Sequence, residues 1–473
     1  MIMNKILVFC TFLIAVLSGQ INAENPAKDL LKVSNNKHFL VHADGRPFFY
    51  LGDTAWELFH RTTKQDAEQY LKTRSTQGYT VIQAVAVSEL QGDQVPNVYG
   101  FLPWKDSNPD QIMIKDGPDN DYWDYVDFIV RRANDFGLYV GFLPSWGEYW
   151  KDRILNEKNA RRYGKFLGER YKNAGLIWIL GGDRPANESR DVSILRELAA
   201  GIRDGGARQL ITFHPCGACG SAQWLHEEKW LDFNMRQNGH TDNYSGRYDK
   251  TLEDYERTPT KPILDAEPIY EDHPIDFNAK ERGYSTAIDV RRAFYWDVFN
   301  GACGHTYGNH AVWQMYDGKR EPVNMPLMTW REAIVQPGAR QMIFGRKLME
   351  SRPFLTRIPD PNLIVTDRVA TNIPGEGRYR FVATRDEAGT YAMIYVPVGR
   401  KFYVQTSVLK AKKIKGWWYN PRTGVAKSIG IFDNKDKKLF KSPTPGEDLD
   451  WVLVLDDLAK DYPAPGRKRL NDE

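Results

Sequence analysis

The chain has 473 residues, 42% hydrophobic and 26% charged, with 64 Lys and Arg against 61 Asp and Glu. These proportions are globular and exclude a disordered chain or a fibrous repeat. A formal net charge of +3 without a long basic run gives no footing for nucleic-acid binding. At roughly 150 residues per domain the length predicts two or three domains, one of them large enough for a barrel. Aromatic residues reach 13%, with 14 Trp. Sugar-binding clefts and large aromatic cores both produce that excess.

The first residues read as an export leader. Lys5 is followed by an apolar run over 6–17, and small residues up to Ala23 make a cleavage site there. The run is too short to span a membrane comfortably, and no later stretch reaches ~18 apolar residues. The leader therefore predicts an exported, periplasmic or extracellular protein with no stable membrane anchor, and we expect it to act as a monomer. Beyond the leader remain Cys216, Cys219 and Cys303. Three thiols cannot frame the fold with disulfides. Cys216-Gly217-Ala218-Cys219 has redox spacing without a redox setting, so buried thiols or an incidental disulfide are the expected readings.

From residue 38 to 350, short apolar runs alternate with helical patterns. Strands are expected over 48–51, 80–87, 138–144, 176–180, 209–213, 231–235, 262–268 and 304–307. Helices are expected over 64–77, 122–136, 160–173, 192–203, 252–256, 288–299 and 328–349, several stopped by Gly. Continuous apolar strands imply burial on both faces, as in a parallel sheet wrapped by helices. The repetition fits an α/β (β/α)8 TIM barrel. The first strand runs into Gly52-Asp53-Thr54, which is not the glycine-rich turn of a doubly wound dinucleotide fold. After residue 353 the helices stop. Short strands over 363–365, 379–383, 391–396, 402–404 and 451–455, with a strand followed by a turn over 415–424, predict a small C-terminal β-sandwich. The expected organisation is a leader over 1–23, a barrel over 24–353 and a sandwich over 354–473.

A barrel of this type carries its site at the C-terminal ends of the strands. Those ends hold Asp53 and Trp56, Gln83 and Glu89, Trp146 and Glu148, Asp183 and Arg184, His214, Arg236, Gln237 and His240, Glu267 and Glu271, and His305, His310 and Trp313. The set contains no nucleophilic serine elbow, phosphate loop or metal-binding histidine pair, so neither metal nor cofactor is expected. Carboxylates facing across a cleft suit glycoside hydrolysis, where one donates a proton and the other attacks carbon or activates water. Asp183 after the fourth strand and Glu267 after the seventh stand opposite each other. A helix cap for Asp183 and a neighbouring-strand hydrogen bond for Glu267 are the structural alternatives.

Several motifs carry a resemblance. Gly45-Arg46-Pro47-Phe48, Leu51-Gly52-Asp53-Thr54-Ala55-Trp56, Trp178-Ile179-Leu180-Gly181-Gly182-Asp183, Asp265-Ala266-Glu267-Pro268 and Tyr307-Gly308-Asn309-His310 occur in order. Together they resemble glycoside hydrolase family 140, the apiosidase-like enzymes. Trp418-Tyr419-Asn420-Pro421-Arg422-Thr423-Gly424 resembles the sandwich that follows that barrel, a domain type labelled collagen-binding.

The resemblance implies an O-glycosyl hydrolase that cleaves the link between apiose and galacturonic acid in pectic rhamnogalacturonan-II, a plant cell-wall glycan. It implies a retaining reaction with Asp183 as acid/base and Glu267 as nucleophile. The expected substrate-binding residues are Asp53, Trp56, Trp146, Arg184, His214, Gln237, His240, His310 and Trp313. Arg184 or Arg236 is the candidate for holding a uronate carboxylate, with an ion pair to a wall carboxylate as the alternative. The sandwich is expected to pack on the barrel, with Trp417 and Trp418 as its candidate glycan platform. Another plant-polysaccharide glycosidase on the same barrel, or a non-catalytic glycan-binding protein, remains the competing reading.

Overall fold

A computed structural model describes residues 29–152, 154–241, 247–365 and 376–468. The expected leader lies outside these residues. Eight parallel strands form the barrel: β1 Tyr50–Thr54, β2 Val81–Val85, β3 Tyr139–Leu143, β4 Leu176–Gly181, β5 Ile211–His214, β6 Asn234–Arg236, β7 Ile263–Asp265 and β8 Gly304–Tyr307. Six of them pair in the order β5-β4-β3-β2-β1-β8, and β6 pairs with β7. The ring is completed by main-chain bonds beside the strands, Asp232 N–H to Ile211 O at 2.8 Å and Cys303 N–H to Ile263 O at 2.9 Å. Every residue of β1 to β5 is buried, as the unbroken apolar runs require.

A helix that pairs with each strand follows it, beside further short helical turns in the connections: α1 Lys64–Thr76, α2 Tyr122–Asp135, α3 Glu157–Tyr171, α4 Ser189–Asp204, α5 Ala222–Leu225, α6 Asp249–Tyr255, α7 Ala287–Phe299 and α8 Pro337–Glu350. Their starts are written in the sequence. Thr63 and Asp66 form a capping box on α1, and Asp121 accepts from Trp123 and Asp124 at the head of α2. The single helix expected over 328–349 is broken into Trp330–Ala333 and α8. Pro337 causes the break: without an N–H it serves the first turn of a new helix and cannot continue an old one. The strand ends also extend past the expected limits, β1 to Thr54 and β5 to His214.

The C-terminal region is an antiparallel sandwich. Its strands are β9 Arg357–Pro359, β10 Val382–Asp386, β11 Tyr391–Val396, β12 Gly399–Gln405, β13 Lys413–Asn420, β14 Val425–Asp433, β15 Lys437–Gly446 and β16 Trp451–Asp457. Six form one sheet in the order β9-β10-β11-β16-β13-β14, and β12 pairs with β15. A strand was expected over 363–365, but Pro361–Leu363 is a 3-10 turn. The long strands β14 and β15 were not expected, because their mostly exposed residues give no apolar run. The sandwich is fastened to α7 and α8. Arg291 forms a buried two-bond pair with Asp450 at 3.0 and 2.9 Å, Tyr295 stacks on Tyr395 at 4.5 Å, and the Tyr419 hydroxyl donates to Phe344 O at 2.8 Å. Trp417 and Trp418 belong to this buried structure. They are 8% and 4% exposed, and Trp417 donates to Asp456 at 3.0 Å. Neither is a glycan platform.

Cys216 and Cys219 are joined in a disulfide, and Cys303 is a buried free thiol. No helix among the described residues is long and apolar enough to cross a membrane.

Candidate active site

The C-terminal ends of the strands surround a cavity of ≈ 330 Å³. Trp56 and Trp146 wall one side with ring centroids 5.2 Å apart, and Trp313, Gln237 and His240 contribute elsewhere on the lining. Asp183 and Glu267 both open into it.

Glu267 follows β7. Its backbone is held from below, where the buried Asp265 accepts from the N–H groups of Glu267 at 3.2 Å and of Asn238 at 3.3 Å. Two imidazoles hold its carboxylate: His240 Nε2 is 2.9 Å from one oxygen and His214 Nε2 is 3.1 Å from the other. The Asp183 N–H approaches His214 Nδ1 at 3.4 Å. With Nδ1 accepting, the other nitrogen carries the proton that faces Glu267. His214 thereby joins the two carboxylate-bearing loops. Burial opposes the charge on Glu267, but the His214 imidazole at 3.1 Å and the hydrogen bond from His240 outweigh it and bring its pKa down to about 2.

Asp183 sits at the end of β4 in a sharp turn. Gly181, Gly182 and Asp183 have φ of 97°, 109° and 54°. A side chain on Gly181 would meet His214 O at 2.4 Å, so glycine is required by both backbone and space. The turn lifts Asp183 into the cavity mouth. Burial first, and then the negative charge of Glu267, push its carboxyl above the ordinary value, partly offset by His214, Gln237 and Arg184. The two acids are therefore driven apart, one toward the anion and one toward the protonated form.

The remaining expected residues divide. Trp56, Trp146, Trp313, Gln237 and His240 line the cavity. His214 stands behind Glu267, fully buried. His310 lies beneath Trp313, accepting its indole N–H at 3.3 Å, with its own Nε2 3.0 Å from Asn324 O. Arg184 reaches Asp183 O at 2.9 Å and Glu148 at 3.7 Å, outside the lining. Arg236 is turned away from the cavity and paired with Asp254 at 2.8 Å. Asp53 also stands apart: it is fully buried against Arg74 at 2.7 Å and accepts from the Tyr70 hydroxyl. It serves the barrel interior, where a lone carboxylate would be too costly. Glu271 is likewise engaged. It accepts from Tyr307 at 2.6 Å and from Gly338 and Ala339 N–H at 2.8 and 3.3 Å, capping α8.

Glu89 and Arg247 are among the lining residues that were not expected as catalytic or substrate-binding residues. Glu89, past the end of β2, adds a third carboxylate. Burial and the charges of Glu57, Glu267 and Asp183 push it well above the carboxylate range. Its position at a strand end was the available signal. Arg247 also lines the cavity and donates to Asn238 O. It lies on a connection far beyond the end of β6, where strand-end reasoning does not reach. Among the described residues no group of three or more His, Cys, Asp or Glu is arranged to hold a metal ion.

A buried carboxylate and a half-buried one, oppositely shifted beside a tryptophan wall, are the equipment of acid-assisted glycosyl transfer, and comparison with known proteins agrees. Residues 34–356 match the family described as "Apiosidase-like, catalytic domain", and 358–456 match "Putative collagen-binding domain of a collagenase". A solved glycoside hydrolase is 34% identical with a TM-score of 0.85, covering 92% of this chain and 99% of its own. A structure described as a glycoside hydrolase family 5 protein from Bacteroides vulgatus is 33% identical with a TM-score of 0.84, covering 93% and 96%. A third structure, described as "a putative glycoside hydrolase" from the same organism, is 13% identical at a TM-score of 0.63, covers 91% of this chain and 82% of its own, and shares the fold. No curated protein matches the chain. The chain belongs to the apiosidase-like family of glycoside hydrolases.

Proposed function

We propose that this enzyme is a retaining glycosidase that releases apiose from galacturonic acid in pectic rhamnogalacturonan-II, acting after export. The opposed protonation tendencies of Asp183 and Glu267 carry the assignment of roles. Asp183 holds the proton needed by the glycosidic oxygen. Glu267 is the anion that attacks the anomeric carbon. As the C–O bond breaks, the Asp183 proton passes to the leaving galacturonate oxygen and a bond forms from Glu267 to carbon. Asp183, now a carboxylate, then takes a proton from water. The water oxygen adds to the same carbon and Glu267 leaves as the anion that His214 and His240 stabilise. Stabilisation of that anion lowers its basicity and improves it as the leaving group of the second step.

The cavity supports a small sugar with many hydroxyls. Glu89 and Gln237 offer acceptors, Trp56, Trp146 and Trp313 offer apolar faces, and Arg247 offers a cation for a uronate carboxylate. The chain's apiosidase-like membership favours apiose as the sugar. Product analysis on an apiose-bearing rhamnogalacturonan-II fragment tests the reading, with Glu267→Gln as control. The expected result is free apiose from the wild type and none from the variant. Cleavage of a different pectic linkage would keep the chemistry and replace the substrate. Cleavage surviving in Glu267→Gln would remove Glu267 from its role.

A further inference from the structure

The excess of positive over negative charge is concentrated in one stretch. Residues 399–441 carry 12 Lys and Arg against 2 Asp, while the other residues carry 52 Lys and Arg against 59 Asp and Glu. The near-neutral total conceals a basic strip on an acidic protein, and the strip coincides with β12 to β15.

The register shows where the lysines stand. β12 and β15 pair with Lys401 opposite Lys441, Tyr403 opposite Leu439 and Gln405 opposite Lys437. Side chains alternate along a strand, so these six share one face. Phe402, Val404 and Phe440 on the other face are buried in the sandwich core. Lys401, Lys437 and Lys441 are exposed, and Tyr403 and Leu439 are 43% and 47% exposed between them. The Lys437 ammonium lies 4.7 Å over the Tyr403 ring. Lys413 in the same stretch has a carboxylate partner, Asp433 at 3.3 Å; Lys401, Lys437 and Lys441 have none among the described residues. Like charges directly opposite each other destabilise a sheet. Lysines alone would guard this short sheet against edge pairing, but an exposed tyrosine and leucine between them work against that purpose.

We propose that this face docks an anionic polysaccharide of the polyuronate type. The ammonium groups meet carboxylates repeated along the glycan, and the Tyr403 ring lies against a sugar face. Charge complementarity selects an anionic polymer, and the choice of polyuronate rests on the pectic reading of the active site. Docking holds the barrel near its substrate and raises the effective concentration of cleavable linkages.

The test uses the full chain. Affinity electrophoresis in polygalacturonate, with the cleavage-deficient Glu267→Gln protein, should show retardation that is absent in fully methyl-esterified polymer. It should weaken between about 0.01 M and about 0.15 M salt. The combined Lys401→Ser, Lys437→Ser and Lys441→Ser variant should lose about tenfold in affinity. On a polymeric substrate its kcat/KM should fall, while on a short oligosaccharide it should keep the wild-type value. Circular dichroism and the melting temperature serve as the folding control, and Tyr403→Ala, which keeps the charge, should weaken binding to a smaller degree. Unchanged affinity in the folded triple variant would overturn the proposal. So would equal binding to esterified polymer, or tighter binding to duplex DNA, anionic vesicles or fibrillar collagen. Binding is measured without turnover, so a failure to cleave the apiose-bearing fragment and a failure to bind polygalacturonate are separate results.

Discussion

Glu267 and Lys441 both carry charge, in opposite settings. Glu267 lies in the barrel, buried between two histidines that hold its carboxylate at 2.9 and 3.1 Å. Lys441 stands in water on the sandwich, opposite another lysine. In the barrel, few groups at fixed distances change protonation strongly, because burial removes the screening that water provides. On the sandwich, water screens each lysine, and only several together act on a polymer. One region therefore supports bond-breaking chemistry, and the other supports adhesion at most. The buried Arg291–Asp450 pair links the two regions.

Substitutions that break this contrast should rank accordingly. Glu267→Gln removes the proposed nucleophile and should lower kcat by at least about 10⁴-fold on every substrate, as measured by product release, with the melting temperature retained. Asp183→Asn removes the proposed proton donor and should cost about 10²- to 10⁴-fold where the leaving group needs protonation. Asp450→Ala leaves Arg291 buried without its partner and should cost about 3–5 kcal/mol in urea unfolding. The active-site cavity should be untouched in protein that remains folded.

His240→Ala sharpens the comparison within the barrel. It removes one bond to a charged acceptor, a loss of about 1.5–3 kcal/mol, and so should raise the Glu267 pKa by about one to two units. In the proposed mechanism Glu267 works as the anion. Its raised pKa should move the acid limb of the kcat/KM profile upward, so activity is lost first on the low-pH side. An unmoved acid limb would mean that His240 does not hold the nucleophile.

The barrel was legible because its strands are buried on both faces and its helices carry explicit caps, as at Thr63 and Asp121. Position at the strand ends located Asp183, Glu267, Gln237 and the tryptophans. The same rule also picked Asp53 and Glu271, because a strand-end carboxylate reads identically whether it faces a cavity, an arginine or a helix N-terminus. Only packing distinguishes them: Arg74 takes Asp53, and Gly338 and Ala339 take Glu271. Arg247 was missed because it lies well past the end of β6, where strand-end position gives no signal. The strands β14 and β15 were missed because exposed, charged strands lack a two-residue apolar alternation. The lysine face was hidden by the near-zero total charge, which averages a basic strip with an acidic barrel.

The central claim is the division of labour between Asp183 and Glu267. It is tested most directly by the kcat/KM–pH profile on an aryl glycoside of the cleaved sugar whose leaving group departs without protonation. The account predicts a bell for the wild type on the natural linkage, with its acid limb set by Glu267 near 2 and its alkaline limb by Asp183 above the ordinary 3.8. On the activated substrate, Asp183→Asn should keep most of the first-step rate and lose the alkaline limb, while Glu267→Gln stays inactive. Equal inactivity of both variants on the activated substrate, or an alkaline limb that survives in Asp183→Asn, would contradict it.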